Sequence, residues 1–121
     1  MAVCSLLLWL LTPGLCSNEI YQEVLSPDNA YKAVVFQRNC GVTTDFSTQV
    51  SVLKASDTLP DRAGNVFIMD GPPEQTKIHV QWEADRSLSI TYSPEYEVFR
   101  ARERLRDFLT VITIRYQQTS P

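Results

Sequence analysis

Apolar and polar residues alternate with a period of two along most of this chain. The pattern is clearest in residues 77–83 and 87–92, which are joined by the short polar link Ala84-Asp85-Arg86. A period of two places the apolar side chains of a strand on one face, so the two segments predict a β-hairpin with one buried face. The alternating apolar residues are Ile78, Val80 and Trp82 in the first segment and Leu88, Ile90 and Tyr92 in the second.

Other short apolar segments are separated by turn-forming residues, and no long helical stripe is present. Ser26-Pro27-Asp28-Asn29 predicts a turn, because Pro27 presets φ and Asp or Asn tolerates the conformations that close it. Residues 97–108 are the best helical candidate but fit a strand and a turn equally well. The predicted fold is all-β, with about six strands in a single small antiparallel sheet or a sandwich-like or barrel-like meander. The remaining predicted strands are 20–25, 31–38, 49–54, 66–70 and 109–116, linked by connections at 40–47, 55–64 and 71–76.

Residues 1–17 carry no charged side chain and centre on the apolar segment 6–11, which Thr12-Pro13-Gly14 ends. This segment is too short to span a bilayer, which takes about 20 apolar residues. It has the length of a secretory signal core, although the usual Lys or Arg before the core is missing. We therefore predict a signal segment at 1–17 and one exported β domain at 18–121.

Cys16 follows the apolar segment and resembles the acylated cysteine of bacterial lipoproteins. Pro13 and Leu15 stand where such sites carry Leu and a small residue, so a lipoprotein signal, a plain cleaved signal and a buried apolar segment stay open. Cys4 lies within the signal segment, so any intrachain disulfide must join Cys16 to Cys40. Lipidation of Cys16 would exclude that disulfide.

The net charge and the small number of His and Cys residues argue against nucleic-acid binding, metal binding and cysteine catalysis. The net charge is −3 with both signs mixed, which is not the basic surface of a nucleic-acid-binding protein. One histidine and one cysteine beyond the signal segment cannot form the usual zinc site, so we expect no metal and no cofactor. A nucleophile at Cys40 would need His79 as its base, and no spacing places the two together.

Two places concentrate unusual side chains and are the candidate binding sites. Arg100, Arg102, Arg104 and Arg106 recur at every second position and would line one edge if the segment were extended. The loop 40–48 contains Thr43, Thr44 and Phe46, in which one aromatic ring lies among hydroxyl groups. We favour the loop, because a ring offers apolar contact area whereas exposed arginine contacts are individually weak.

The segment from Ser26 to Phe36, continuing as Arg38-Asn39-Cys40-Gly41-Val42-Thr43-Thr44, resembles a family of small exported bacterial proteins. Their pattern is an SPDG-x-Y turn, a hydrophobic strand and a Cys-Gly-x-Thr-Thr loop. Asn29 stands here in place of the turn glycine. The resemblance implies an exported β protein and no particular activity.

Together these features predict an exported, non-enzymatic β domain at the bacterial cell envelope, either periplasmic or anchored in the membrane as a lipoprotein. It would act by binding an envelope protein or a glycan. The alternative is a periplasmic inhibitor or immunity-type protein directed against a hydrolase, and the weakest hypothesis is an enzyme that uses Cys40.

Overall fold

The computed structural model describes residues 16–41 and 46–120. These residues form nine strands and one single-turn helix, and that helix is not long or apolar enough to cross a membrane. The strands are β1 (Ser17–Leu25), β2 (Tyr31–Asn39), β3 (Ser47–Lys54), β4 (Phe67–Asp70), β5 (His79–Ala84), β6 (Ser87–Tyr92), β7 (Val98–Ala101), β8 (Arg104–Asp107) and β9 (Thr110–Gln118), and the helix is α1 (Pro73–Thr76).

The strands form two sheets that do not close into a barrel. The first sheet has the order β1-β2-β3-β4-β7 and is antiparallel throughout, and the second has the order β5-β6-β9-β8. The prediction of an all-β fold is confirmed. Of the predicted arrangements, a single antiparallel sheet and a closed barrel are wrong, since the described residues form nine strands rather than about six, in two open sheets, and β6 pairs with β9 in parallel. A parallel pair needs a long crossover, which the alternation of residues does not reveal.

The predicted turn between β1 and β2 has the expected chemistry. The amide of Asn29 donates to the carbonyl of Ser26 at 2.8 Å, and Asn29 has a φ of 61°. Asn tolerates this left-handed conformation better than other non-glycine residues. The hydroxyl of Ser26 also accepts a hydrogen bond from the amide of Tyr31 at 3.1 Å, which fixes the start of β2.

The hydrophobic core lies between the two sheets. Phe67 and Met69 of β4 are fully buried and contribute from the first sheet, while Leu88 and Ile90 of β6 contribute from the second. Trp82 of β5 is also buried, as its place in the alternation predicts, and its Nε1 donates to the carbonyl of Val24 at 2.9 Å. The predicted hairpin and the direction of its buried face are therefore confirmed.

The opposite face of the first sheet is covered by the segment 55–66. Phe36 of β2 alternates with core residues, yet it is also fully buried. Asn18 of β1 holds the covering segment by donating to the carbonyls of Pro60 and Arg62 at 3.1 and 2.9 Å. The amide of Gly64 donates to Oε1 of Gln49 at 2.6 Å. The middle of β2 and of β3 is thus buried on both faces, whereas the edge strand β1 is largely exposed.

Candidate functional site

A disulfide between Cys16 and Cys40 closes one end of the first sheet. Ser17 and Asn39, the neighbours of the two cysteines, are paired partners on β1 and β2, so the strand register brings the sulfurs together. A cysteine in this bond has no thiol to acylate, so the bond and a lipid on Cys16 are mutually exclusive. The bond also occupies the Cys40 sulfur, which removes the free thiolate that the nucleophile hypothesis requires. Disulfides persist in oxidising compartments outside the cytoplasm.

Phe46 lies at the same end of the sheet, immediately before β3, and is 42% exposed. Its ring and that of Tyr96 line an open surface cleft of about 350 Å³, together with Asp70, Gly71, Pro72 and Gln75. The volume falls in the range of small-ligand sites, which is roughly 300–1,000 Å³. The preferred candidate of the sequence analysis therefore belongs to a formed concave surface.

The floor of this cleft is held by a buried pair of hydroxyl groups. The hydroxyl of Thr48 donates to the carbonyl of Gly71 at 2.8 Å and lies 3.0 Å from the hydroxyl of Thr76. The amide of Gly71 in turn donates to the carbonyl of Phe46 at 3.0 Å. These bonds join β3, the end of β4 and α1, so the cleft is positioned by strands and a helix that pack on the core.

Gly71 fixes the position of the Tyr96 ring. It has a φ of 97°, a left-handed conformation that glycine adopts without steric cost. A Cβ atom at this position would lie 2.8 Å from Cδ1 of Tyr96 and 3.0 Å from Cγ2 of Thr76, which is closer than van der Waals contact. The ring of Tyr96 therefore rests directly on the glycine backbone and forms one wall of the cleft.

Three polar side chains at the cleft are open to a ligand. Within the described residues, the carboxylate of Asp70, the amide of Gln75 and the hydroxyl of Tyr96 form no hydrogen bond with another protein group. They offer two acceptor oxygens, a donor-and-acceptor amide and a hydroxyl. Apolar walls with a few converging polar groups are the usual composition of a small-ligand site.

The remaining candidates from the loop 40–48 are Thr43 and Thr44. Both lie outside the described residues, so their prediction stays a prediction. Gly41 and Phe46 flank them in the structure, at the end of the domain that carries the cleft.

The four alternating arginines do not form one strip. Arg100 lies on β7 in the first sheet, and its Nη1 donates to the carbonyl of Gly64 at 2.8 Å, which holds the covering segment. Arg102 lies at the crossing between the sheets, where its amide donates to the carbonyl of Val66 at 2.9 Å. Arg104 and Arg106 lie on β8 in the second sheet and are exposed. The expectation that an extended segment aligns all four is wrong, because the chain changes sheets in the middle of the run.

The opposite end of the domain carries a charged network around the Ser26–Asn29 turn. Oδ1 of Asp28 accepts hydrogen bonds from the Ser26 hydroxyl at 2.8 Å and from the Ala30 amide at 3.1 Å, and Oδ2 pairs with Arg86 at 3.0 Å. The hydroxyl of Ser26, followed by the amide of Ala30 and the charge of Arg86, lowers the pKa of Asp28. The guanidinium of Arg86 also lies 4.7 Å from the ring centre of Tyr31. The charges of Asp28 and Arg86 are therefore explained by their role in stabilising the turn, and they do not indicate a binding site.

Sequence reasoning missed Tyr96, Asp70 and Gln75 as cleft residues. The only local signal was Gly71-Pro72-Pro73, which predicts an irregular connection and in fact leads into α1. The approach of Tyr96 to Gly71 depends on the antiparallel pairing of β4 with β7, and no spacing along the chain encodes that contact.

Within the parts of the chain that the structure describes, no three His, Cys, Asp or Glu side chains come together as a metal site. Comparison of this chain with protein-family models, curated proteins and solved structures gives no match.

Proposed function

We propose that this protein is an exported, non-enzymatic binding domain of the bacterial cell envelope that holds a glycan in the cleft between Phe46 and Tyr96. The observation that carries the proposal is the pair of aromatic rings beside the unengaged carboxylate of Asp70, amide of Gln75 and hydroxyl of Tyr96. The Cys16–Cys40 disulfide supports a site of action outside the cytoplasm.

A sugar suits this arrangement better than a charged or strongly apolar ligand. A sugar ring has an apolar face of C–H groups that can lie on an aromatic ring, and hydroxyl groups at its rim. A carboxylate accepts hydrogen bonds from such hydroxyls, and a side-chain amide both donates to them and accepts from them. Phe46 and Tyr96 would supply the stacking surfaces, and Asp70 and Gln75 would set the orientation of the sugar.

The test is a binding titration with defined oligosaccharides, such as chitotetraose and soluble fragments of peptidoglycan glycan strands. We expect saturable binding that Phe46→Ala and Tyr96→Ala each weaken at least tenfold. Phe99→Ala is the matched control, because Phe99 is an exposed aromatic residue on β7 (59% exposed) that does not line the cleft. Equal binding by wild type and both cleft variants would place the site elsewhere, and absence of binding to any glycan would contradict the proposed ligand.

The alternative of an inhibitor directed against a hydrolase makes a different prediction. The purified domain would then capture a hydrolase from an envelope extract and reduce its activity in proportion to the amount added. If Phe46→Ala left that inhibition unchanged while glycans failed to bind, the inhibitor hypothesis would replace the glycan proposal.

A further inference from the structure

The most exposed large apolar side chains in the described residues lie at the tip of the β8–β9 hairpin. Phe108 is 86% exposed and Leu109 is 83% exposed, so neither contributes to the core. Val111, on the outward face of β9, extends the apolar surface behind them. Two large apolar residues that are adjacent and almost fully in water indicate a surface that is covered in use.

The backbone conformation of the turn does not favour an aromatic residue at position 108. Asp107 and Thr110 are paired across the strands, so Phe108 and Leu109 form a two-residue turn. Phe108 has a φ of 56°, a region that Gly and Asn fill with little strain and that bulky residues avoid. The chain therefore keeps a phenylalanine where folding would favour a smaller residue.

The base of the hairpin is firmly attached to the domain. Ile112 and Ile114 of β9 are buried in the core, and Leu105 of β8 packs against it. Oδ2 of Asp107 accepts a hydrogen bond from the hydroxyl of Tyr31 at 2.7 Å, which ties the last residue of β8 to β2. Phe108 and Leu109 thus project from a fixed support.

Two cations stand immediately behind the apolar tip. Arg104 and Arg106 point away from the core on β8, and neither forms an ion pair within residues 16–41 and 46–120. Arg106 is paired with Val111 across the two strands. Lys54 and Asp57 line a second surface cleft beside Arg106, which is separate from the Phe46–Tyr96 cleft. At about 3.4 Å per residue, Arg106 is about 7 Å behind Phe108 along the strand.

We propose that the Phe108–Leu109 tip inserts into the surface of an anionic lipid bilayer while Arg104 and Arg106 bind the phosphate groups of its lipids. Apolar groups of interfacial segments enter the boundary between headgroups and acyl chains by about 5–10 Å. The distance from Phe108 back to Arg106 matches that depth, so the guanidinium of Arg106 reaches the headgroup layer when the ring reaches the acyl chains. Arg104 is about 14 Å behind Phe108 and adds charge attraction at the outer side of that layer. Basic residues near an anionic lipid surface add to binding through charge attraction.

The proposed contact of the Phe108–Leu109 tip with the bilayer would fix the orientation of the domain. It does not depend on the proposed glycan site. Tyr31, which bonds Asp107, lies at the end of β2 opposite Asn39 and the disulfide. The Phe46–Tyr96 cleft lies at the disulfide end, since Ser47 pairs with Asp70 there. A domain that rests on the bilayer through its hairpin tip would hold the cleft away from the membrane.

The test is sedimentation of the processed, disulfide-bonded protein with lipid vesicles. One vesicle preparation contains phosphatidylcholine with 30 mol% phosphatidylglycerol, and the other contains phosphatidylcholine alone. We expect at least tenfold stronger binding to the anionic vesicles, falling as salt rises, and at least tenfold loss in the double variant Phe108→Asn with Leu109→Gly. Asn tolerates the φ of 56° at position 108 better than Phe does, so the thermal stability of the variant should stay close to that of the wild type.

A second variant and a control separate the tip from the arginines. Arg104→Ser with Arg106→Ser should abolish the preference for anionic vesicles, whereas Phe99→Ala, which alters an exposed ring on β7, should bind like the wild type. Failure of the wild type to bind anionic vesicles, or equal binding by the Asn-Gly variant, would overturn the proposal. Concentration-dependent self-association that the Asn-Gly variant abolishes, without vesicle binding, would show instead that a second copy covers the tip.

Discussion

The contact between Gly71 and Tyr96 can be tested by replacing the glycine with alanine. The backbone at Gly71 has a φ of 97°, where an L-residue costs about 1–2 kcal/mol. The added methyl group would also lie 2.8 Å from the Tyr96 ring, and overpacking of this kind typically costs about 1–3 kcal/mol. We expect Gly71→Ala to lower the free energy of unfolding by about 2–5 kcal/mol, the sum of a backbone part and a ring part.

A double-mutant cycle separates the two parts. In a Tyr96→Ala background the ring is gone, so only the backbone part and the contact with Thr76 remain, and the cost of Gly71→Ala should fall by at least about 1 kcal/mol. The free energies are measured by urea unfolding of the oxidised protein at 25 °C. An identical cost in both backgrounds would refute the view that the Tyr96 ring is seated on this glycine. It would also remove one wall of the proposed cleft.

Three further predictions concern the disulfide, the core and alkaline pH. Cys16 and Cys40 are 24 residues apart, so Cys40→Ser should cost about 3.5 kcal/mol by loop-closure entropy, and adding Cys16→Ser should cost nothing more in urea unfolding. Trp82→Ala should cost about 3–5 kcal/mol, and a loss below about 1 kcal/mol would contradict the burial of this ring. Burial, with the charge of Glu103 and with Tyr92, raises the pKa of Tyr116, so the folded state favours its neutral form. Its contribution to stability should be complete below pH ~10 and decline as pH rises above it, and Tyr116→Phe should flatten that decline.

The local structure was readable from the sequence because it depends on neighbouring residues. Alternation of Val80 and Trp82 with polar residues placed the hairpin and its buried face, and Ser26–Asn29 carried its own turn chemistry. The split of the arginine run was not readable, since nothing in the alternation marks the change of sheet at Arg102, between Arg100 on β7 and Arg104 on β8.

The cleft was predictable only in part. Phe46 was singled out because an aromatic ring among polar residues is locally unusual. Its partner Tyr96 is 50 positions away in the sequence and reaches the cleft through the pairing of β4 with β7 and the small volume of Gly71. Such contacts depend on tertiary pairing, which a period of two does not specify.

The predicted boundary between the signal segment (1–17) and the domain (18–121) does not agree with the fold. A cut after residue 17 would remove Cys16 and the first residue of β1, and with them the disulfide. We therefore expect processing to occur before Cys16, so that the exported domain keeps both cysteines.

The intact mass of the protein isolated from the cells that make it tests this account most directly. We predict a chain that has lost the apolar segment, begins no later than Cys16, weighs two hydrogens less than its reduced form and carries no acyl group. Reduction followed by alkylation should then label both cysteines. A chain that retains Met1 with Cys16 and Cys40 as free thiols would contradict export and the disulfide together, and an acylated Cys16 would contradict the disulfide.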